Sequence, residues 1–206
     1  MTAIAVTLAF EGGLALVALA AGWSLGYSPL RAIPVGVGLA AHARAVGVGV
    51  IATVPLLLTL FAALVASERH GSGPFRELRL LTEQLLPPLF SGTSIAQLGA
   101  VSIFAGLGEE LLFRGLIQSG LATYLAGIGG PVLPLLVAST LFGLAHPISR
   151  RYVIVAGLVG LYLGTLLHFT GNLLAPVTTH ALYDWIALVT LLRRRPAREP
   201  GRASAQ

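Results

Sequence analysis

The sequence predicts an all-α, polytopic transmembrane bundle of about six spans plus one interfacial amphipathic helix. Three observations carry that prediction. Of 206 residues, 55% are hydrophobic and only 10% charged, whereas a soluble domain carries about a quarter charged residues to cover itself toward water. Several segments stay apolar over the ~20 residues that a helix needs to cross a bilayer. Apart from Arg114, the arginines fall in the polar stretches outside those segments. Six such helices take about 120 residues, so residues 1–192 read as one membrane domain with its core at about 95–192. Residues 193–206 read as a disordered basic tail.

The elements follow in order. Ala3 to Leu25 makes a first span with Glu11 as its only charge. It is too long, and too poor in N-terminal basic residues, for a cleaved signal peptide. A loop with Pro29, Arg31, Pro34 and His42 leads to a second span, Ala45 to Ala66. From Ser67 to Ser94 the chain is polar. There Phe75, Leu78, Leu81 and Leu85 recur at helical spacing among Arg76, Glu77, Arg79 and Glu83, as an interfacial helix requires. The third span, about Ile95 to Leu121, holds Glu109, Glu110 and Arg114. Gly127, Gly129, Gly130 and Pro131 separate it from a fourth, Val132 to His146. Pro147 to Arg151 connects to a fifth, Tyr152 to Phe169, and Thr170-Gly171-Asn172 turns into a sixth, Leu173 to Leu192.

Every basic residue is arginine, and cysteine is absent, so neither a disulfide framework nor a thiol nucleophile is available. The net charge of +5 does not point to nucleic acid, because the arginines do not align on one face. They set topology instead. With both termini cytoplasmic, inside segments hold Arg69, Arg76, Arg79, Arg150, Arg151, Arg193, Arg194, Arg195, Arg198 and Arg202, and outside segments hold Arg31 and Arg44. No internal repeat suggests a transporter of inverted halves.

An ionisable group at membrane depth costs several kcal/mol unless paired or hydrated. Three constellations meet that cost. Within Glu109-Glu110-Leu111-Leu112-Phe113-Arg114, the two carboxylates point about 100° apart. Glu110 and Arg114 share a face in the favourable order, as a structural ion pair. Glu109 then aims into the bundle, where loss of water suits a general base. Phe142 to His146 ends the fourth span. His180 and Asp184 share one face of the sixth, so the carboxylate can orient the ring or both can enter one cavity. For each constellation alone, the alternative is a satisfied polar contact between helices. Their co-occurrence on three spans favours water activation. Around them, Trp23, Tyr183 and Trp185 suit an aromatic belt. Ala156, Gly160 and Gly164 suit close helix packing. His168 and Asn172 suit lumen-lining or capping positions, and Glu11 suits pairing with a neighbouring helix or with Arg114.

Glu-Glu-x-x-x-Arg at Glu109 to Arg114, Phe-x-x-x-His at Phe142 to His146 and His-x-x-x-Asp at His180 to Asp184, in that order, resemble the motifs of the CPBP intramembrane proteases. These are also called the CAAX-protease and bacteriocin-processing, or Abi, family. Phe10-Glu11-Gly12-Gly13 and Thr170-Gly171-Asn172 look like bacterial members; the specific resemblance runs from about Gly99 to Leu188. It implies a catalytic core within 95–192, in which Glu109 and His146 hold and deprotonate the attacking water. His180 and Asp184 would stabilise the oxyanion, and Glu110 and Arg114 would brace the site. An Asn can donate to a developing anion whereas ionised Asp cannot. Asp184 therefore orients His180, is protonated, or helps bind a metal. Glu109, His146 and His180 are acceptable zinc ligands, but a metal-free, glutamate-activated water is favoured and no cofactor is required.

The expected function is an intramembrane endopeptidase of a bacterial inner membrane, acting on a peptide or membrane-protein substrate near the bilayer surface. The alternative is a non-catalytic scaffold or bacteriocin-immunity protein of the same fold. Substrate and oligomeric state are open.

Overall fold

The computed structural model describes residues 2–70, 84–90, 92–125 and 128–193. Among the described residues there are seven helices and no strand. They are α1 (Ala3–Ser24), α2 (Leu39–His70), α3 (Leu86–Phe90), α4 (Ile95–Tyr124), α5 (Val132–Leu144), α6 (Arg150–Thr170) and α7 (Leu174–Arg193). A short 3-10 helix, Pro29–Ala32, lies between α1 and α2.

Local chemistry sets several helix ends. At α4, the Ser94 and Gln97 side chains satisfy each other's main-chain N–H groups, a capping box with bonds of 2.9 and 3.2 Å. Ser149 caps α6 by accepting from Tyr152 N at 3.1 Å. That helix stops at Gly171, whose φ of +60° is a left-handed conformation open to glycine. Asn172 Oδ1 then accepts from Leu174 N at 3.1 Å to start α7.

The all-α bundle is as expected, but the spans are uneven. Four helical stretches are long and apolar enough to cross a membrane: α1, α2 over Leu39–Ser67, α4 and α6. With 13 residues, α5 is about 20 Å long at 1.5 Å per residue, short of a ~30 Å hydrocarbon layer. α7 has 20 residues, but its polar side chains keep it out of that group. α2 starts earlier than expected, so His42 sits in its first turn rather than in a loop. Of the expected amphipathic helix, 71–83 lie outside the described residues. The next described helix is α3, whose Leu86 and Phe90 are buried with Leu60, Leu64 and Leu98. The basic tail at 194–206 also lies outside the described residues.

α4 lies between α1 and α7; α7 also packs on α2, and α5 pairs with α6. Without a hydrophobic drive between helices in lipid, such contacts depend on small residues that let backbones close in. A Cβ on Gly108 of α4 would lie 2.2 Å from the Glu11 main-chain oxygen of α1. A Cβ on Gly49 of α2 would lie 2.5 Å from Ala175 O of α7, and Thr179 Oγ1 donates to Gly49 O at 2.9 Å. At one end of the bundle, Leu173 N donates to Ala32 O at 2.7 Å. Asn172 Nδ2 meets His42 Nδ1 at 3.1 Å there, and the Tyr124 hydroxyl bonds Leu25 O. These contacts put the 25–42 connection, the end of α4 and the α6–α7 turn on one side. Outward faces are apolar, with Phe10, Leu16, Ile51 and Leu158 exposed.

The Gly108 contact yields a stability test. Gly108→Ala is expected to force α1 from α4 and destabilise by about 1–3 kcal/mol, the usual cost of overpacking. Gly47→Ala, with nothing within 4 Å of the added carbon, is expected to be neutral or stabilising. Thermal unfolding in detergent compares the two, and equal melting temperatures would contradict the close approach.

Candidate active site

The first motif sits where α4 changes its winding. The helix is α-helical through Glu110 and π-helical over Leu111–Gln118, a wider turn with i to i+5 bonding that recurs at functional positions. Ser119 Oγ accompanies it, donating to Arg114 O at 2.7 Å. Inside this turn Arg114 Nη1 meets Glu110 Oε1 at 2.8 Å, and neither side chain is exposed. Arg114 Nη2 reaches across to Gly160 O on α6 at 3.0 Å. The guanidinium also lies 4.3 Å from the centre of the Phe142 ring on α5, close enough for cation–π attraction. One arginine thereby touches three helices. Gly160 makes this possible, since a Cβ there would press within 3.2–3.3 Å of Phe142 and Ser139.

Glu110 does more than the sequence expectation assigned to it. The same Oε1 lies 2.8 Å from His180 Nδ1 on α7, and His180 Nε2 lies 3.4 Å from Asp184 Oδ2. Both ring nitrogens face acceptor oxygens, so both contacts are hydrogen bonds only when each nitrogen carries a proton. The chain Arg114–Glu110–His180–Asp184 is a single polar string. The expected orienting of His180 by Asp184 is present as geometry, with Glu110 as a second and closer partner.

Glu109 points the other way, as the 100° offset requires. Its Oε2 lies 3.7 Å from His146 Nε2, with the two side chains 11% and 26% exposed. His146 Nδ1 donates to Phe142 O at 2.8 Å, which leaves the Nε2 lone pair toward Glu109 when the ring is neutral. A separation of 3.7 Å is too long for a direct hydrogen bond and leaves room for a bridging water. Glu109 Oε2 has no hydrogen-bond partner among the described residues. Phe142 is the floor of the site: its ring centroid is 4.7 Å from that of His146 and 5.9 Å from that of His180.

A cavity of about 580 Å³ opens beside these groups. His146, Tyr152, His180, Tyr183 and Asp184 form its polar wall, and Leu56, Leu60, Val155, Leu163 and Leu191 are among its apolar ones. Glu109 does not line it and meets it through His146. The three motifs, far apart in sequence, are therefore brought together.

Two further residues, Glu11 and Tyr152, stand beside these groups. Glu11, expected to pair with a neighbouring helix or with Arg114, forms no ion pair with either among the described residues: Arg114 is held by Glu110 and Gly160 O. Glu11 is buried on α1, its Oε2 has no hydrogen-bond partner, and it lies within electrostatic reach of Glu109, His180 and Asp184. As the only charge in an apolar span, it carried a signal that could have placed it here. Tyr152 had none beyond its position near the end of a span. Of the others, Asn172 caps α7 as expected, His168 lines a second, smaller cavity, and Gly160 and Gly164 are packing positions. Trp23 is exposed, and Trp185 Nε1 donates to Ile95 O at 3.0 Å.

The expected metal ligands do not fit an ion as placed. Among the described residues no three His, Cys, Asp or Glu side chains form a group that could hold one. Both nitrogens of His180 already face carboxylates, leaving Glu109 and His146 as a facing pair rather than part of a three-ligand set.

No curated protein and no solved structure matches the chain. Residues 91–186, the segment that carries all three motifs, match the family model described as type II CAAX prenyl endopeptidase Rce1-like.

Proposed function

We propose that the protein is an intramembrane endopeptidase that hydrolyses a peptide bond with a water held between Glu109 and His146. The observation that carries this reading is the 3.7 Å gap between Glu109 Oε2 and His146 Nε2, with His146 fixed by Phe142 O, beside a cavity of about 580 Å³. A water in that gap donates one hydrogen to each group, which leaves an oxygen lone pair for the substrate carbonyl carbon. As the C–O bond forms, Glu109 takes the water proton. When the C–N bond breaks, Glu109 returns that proton to the leaving amine, so the carboxylate ends as it began. Arg114, Glu110, His180 and Asp184 brace the site without taking part in that transfer. Substrate enters by the apolar side of the cavity, which suits a membrane-proximal or lipidated peptide. No step needs a cofactor.

The orientation proposed with it puts both termini in the cytoplasm of a bacterial inner membrane. Arg150 and Arg151 then mark the cytoplasmic end of α6, and His146 and Tyr152 lie close to that surface. The 25–42 connection and the α6–α7 turn share the opposite end, in keeping with an even number of crossings between them.

Two experiments test these readings. In proteoliposomes with a library of membrane-proximal and prenylated quenched peptides, Glu109→Gln and His146→Ala are each expected to cut kcat by about 10²- to 10⁴-fold, the range for loss of a general base. Wild-type cleavage that survives chelator accords with the metal-free route, and inhibition by chelator that zinc reverses would contradict it. If no variant cleaves, wild type included, and a cellular phenotype survives Glu109→Gln, the scaffold reading replaces the enzyme. For topology, the lack of cysteine allows clean single-site labelling. Ile148→Cys is expected to react with an impermeant thiol reagent only from the cytoplasmic side, and Gly36→Cys only from the other.

A further inference from the structure

Hydrolysis of an amide passes through a tetrahedral oxyanion, and an active site gains most from donors aimed at that charge. The groups that family resemblance offers for this task are occupied or unsuitable here. Asp184 is an acceptor when ionised and would repel the anion. The two His180 nitrogens face Glu110 at 2.8 Å and Asp184 at 3.4 Å, so neither N–H is directed at the cavity. Arg114 is fully buried behind Phe142. Arg151 lines the cavity but has an interaction of its own.

Two neutral donors remain on the polar wall, the hydroxyls of Tyr152 and Tyr183. They are not equivalent. The Tyr183 ring packs with the Leu60–Leu64–Leu98 cluster rather than with Phe142, and its charged neighbour is Asp184 on its own helix. The Tyr152 ring packs on Phe113, Phe142 and Ala156, the cluster beneath the site. Its centroid is 6.4 Å from that of His146, and it lies within electrostatic reach of Glu109 and Asp184 together. No hydrogen bond of the Tyr152 hydroxyl is formed among the described residues, whereas its main-chain N–H is fixed by the Ser149 cap. A phenol anchored by its ring and backbone, with its O–H unspent, is a pre-positioned donor.

We propose that Tyr152 is a further catalytic residue, whose hydroxyl donates to the oxyanion, a role that an ionised Asp184 cannot fill. This rests on the endopeptidase reading above. The hydroxyl keeps its proton throughout. It hydrogen-bonds the carbonyl oxygen as that oxygen gains charge, and the bond relaxes when the C–N bond breaks. Only the transition state and intermediate are stabilised, so kcat and not substrate affinity depends on it.

The test uses full-length protein in proteoliposomes with the same quenched peptides, comparing wild type, Tyr152→Phe, Tyr183→Phe and Glu109→Gln. Tyr152→Phe keeps the ring that packs on Phe142, and its melting temperature checks the fold. The expected result is a kcat loss of about 10²-fold, the typical cost of removing one oxyanion donor, with KM within about threefold, as loss of a transition-state-only interaction requires. In parallel, a peptide phosphinate that mimics the tetrahedral state should lose affinity in Tyr152→Phe by a similar factor, while the product peptide binds as before. A purely structural role would move KM, melting and product binding as well. Cleavage by Tyr152→Phe at the wild-type kcat, with Glu109→Gln inactive, overturns the donor and leaves the endopeptidase standing. A kcat loss confined to Tyr183→Phe also overturns it. If wild type and Glu109→Gln are equally inert, both readings fall.

Discussion

The site depends on a guanidinium that the membrane gives no water. Arg114 is fully buried, and its charge is met by Glu110 at 2.8 Å, by Gly160 O at 3.0 Å and by the face of Phe142. A buried ion pair adds little net stability over an apolar pair, but deleting one partner costs about 3–5 kcal/mol because the other charge is stranded. Once Arg114 occupies this position, other placements are constrained. α6 must bring a carbonyl and no side chain to it, which Gly160 does. α5 must present an aromatic face, which Phe142 does. Glu110 must turn inward, and so Glu109, about 100° away, must turn toward His146.

The second consequence runs through the free oxygen sites of Glu110. Having accepted from Arg114, its Oε1 also accepts from His180, which fixes the rotation of α7 against α4. Asp184, one turn on, then faces the far side of the same ring. The polar string joins α4 and α7, and Arg114 extends it to Gly160 O on α6, while the proposed water-holding pair of Glu109 and His146 is left outside it. That division suits a site whose base needs freedom to exchange a proton. The bracing groups keep fixed partners; Glu109 Oε2 keeps none among the described residues.

Local rules made part of this arrangement legible in the sequence. The Glu110–Arg114 pair follows from spacing of four on a helix, and the same spacing placed His180 beside Asp184. The opposed aim of Glu109 follows from helix geometry alone. The small residues of α6 announced close packing. What sequence reasoning could not supply was tertiary. Nothing local reveals that Glu110 serves Arg114 and His180 at once, or that α4 unwinds into a π-helix at Leu111–Gln118. Glu11 was visible as an isolated charge, but its neighbours depend on how closely Gly108 lets α1 approach. Tyr152 looked like any aromatic near a span end, because its neighbour His146 belongs to a different helix. The spans are less even than expected because α5 has only 13 residues and α7 carries polar side chains.

Carboxylates outnumber cations in this core, and that imbalance constrains the chemistry. Glu11, Glu109, Glu110 and Asp184 surround Arg114 and His180. With His180 doubly protonated, two positive charges face four carboxyl groups in a region poor in water. Four ionised carboxylates would then be severely under-compensated, because an unpaired charge away from water costs several kcal/mol. Glu110 and Asp184 hold the two cations directly, so the excess falls on Glu11 and Glu109. Glu11 lies on α1, whose main chain at Glu11 comes up against Gly108 of α4. The close approach of the two helices is therefore what sets a fourth carboxyl within electrostatic reach of Glu109.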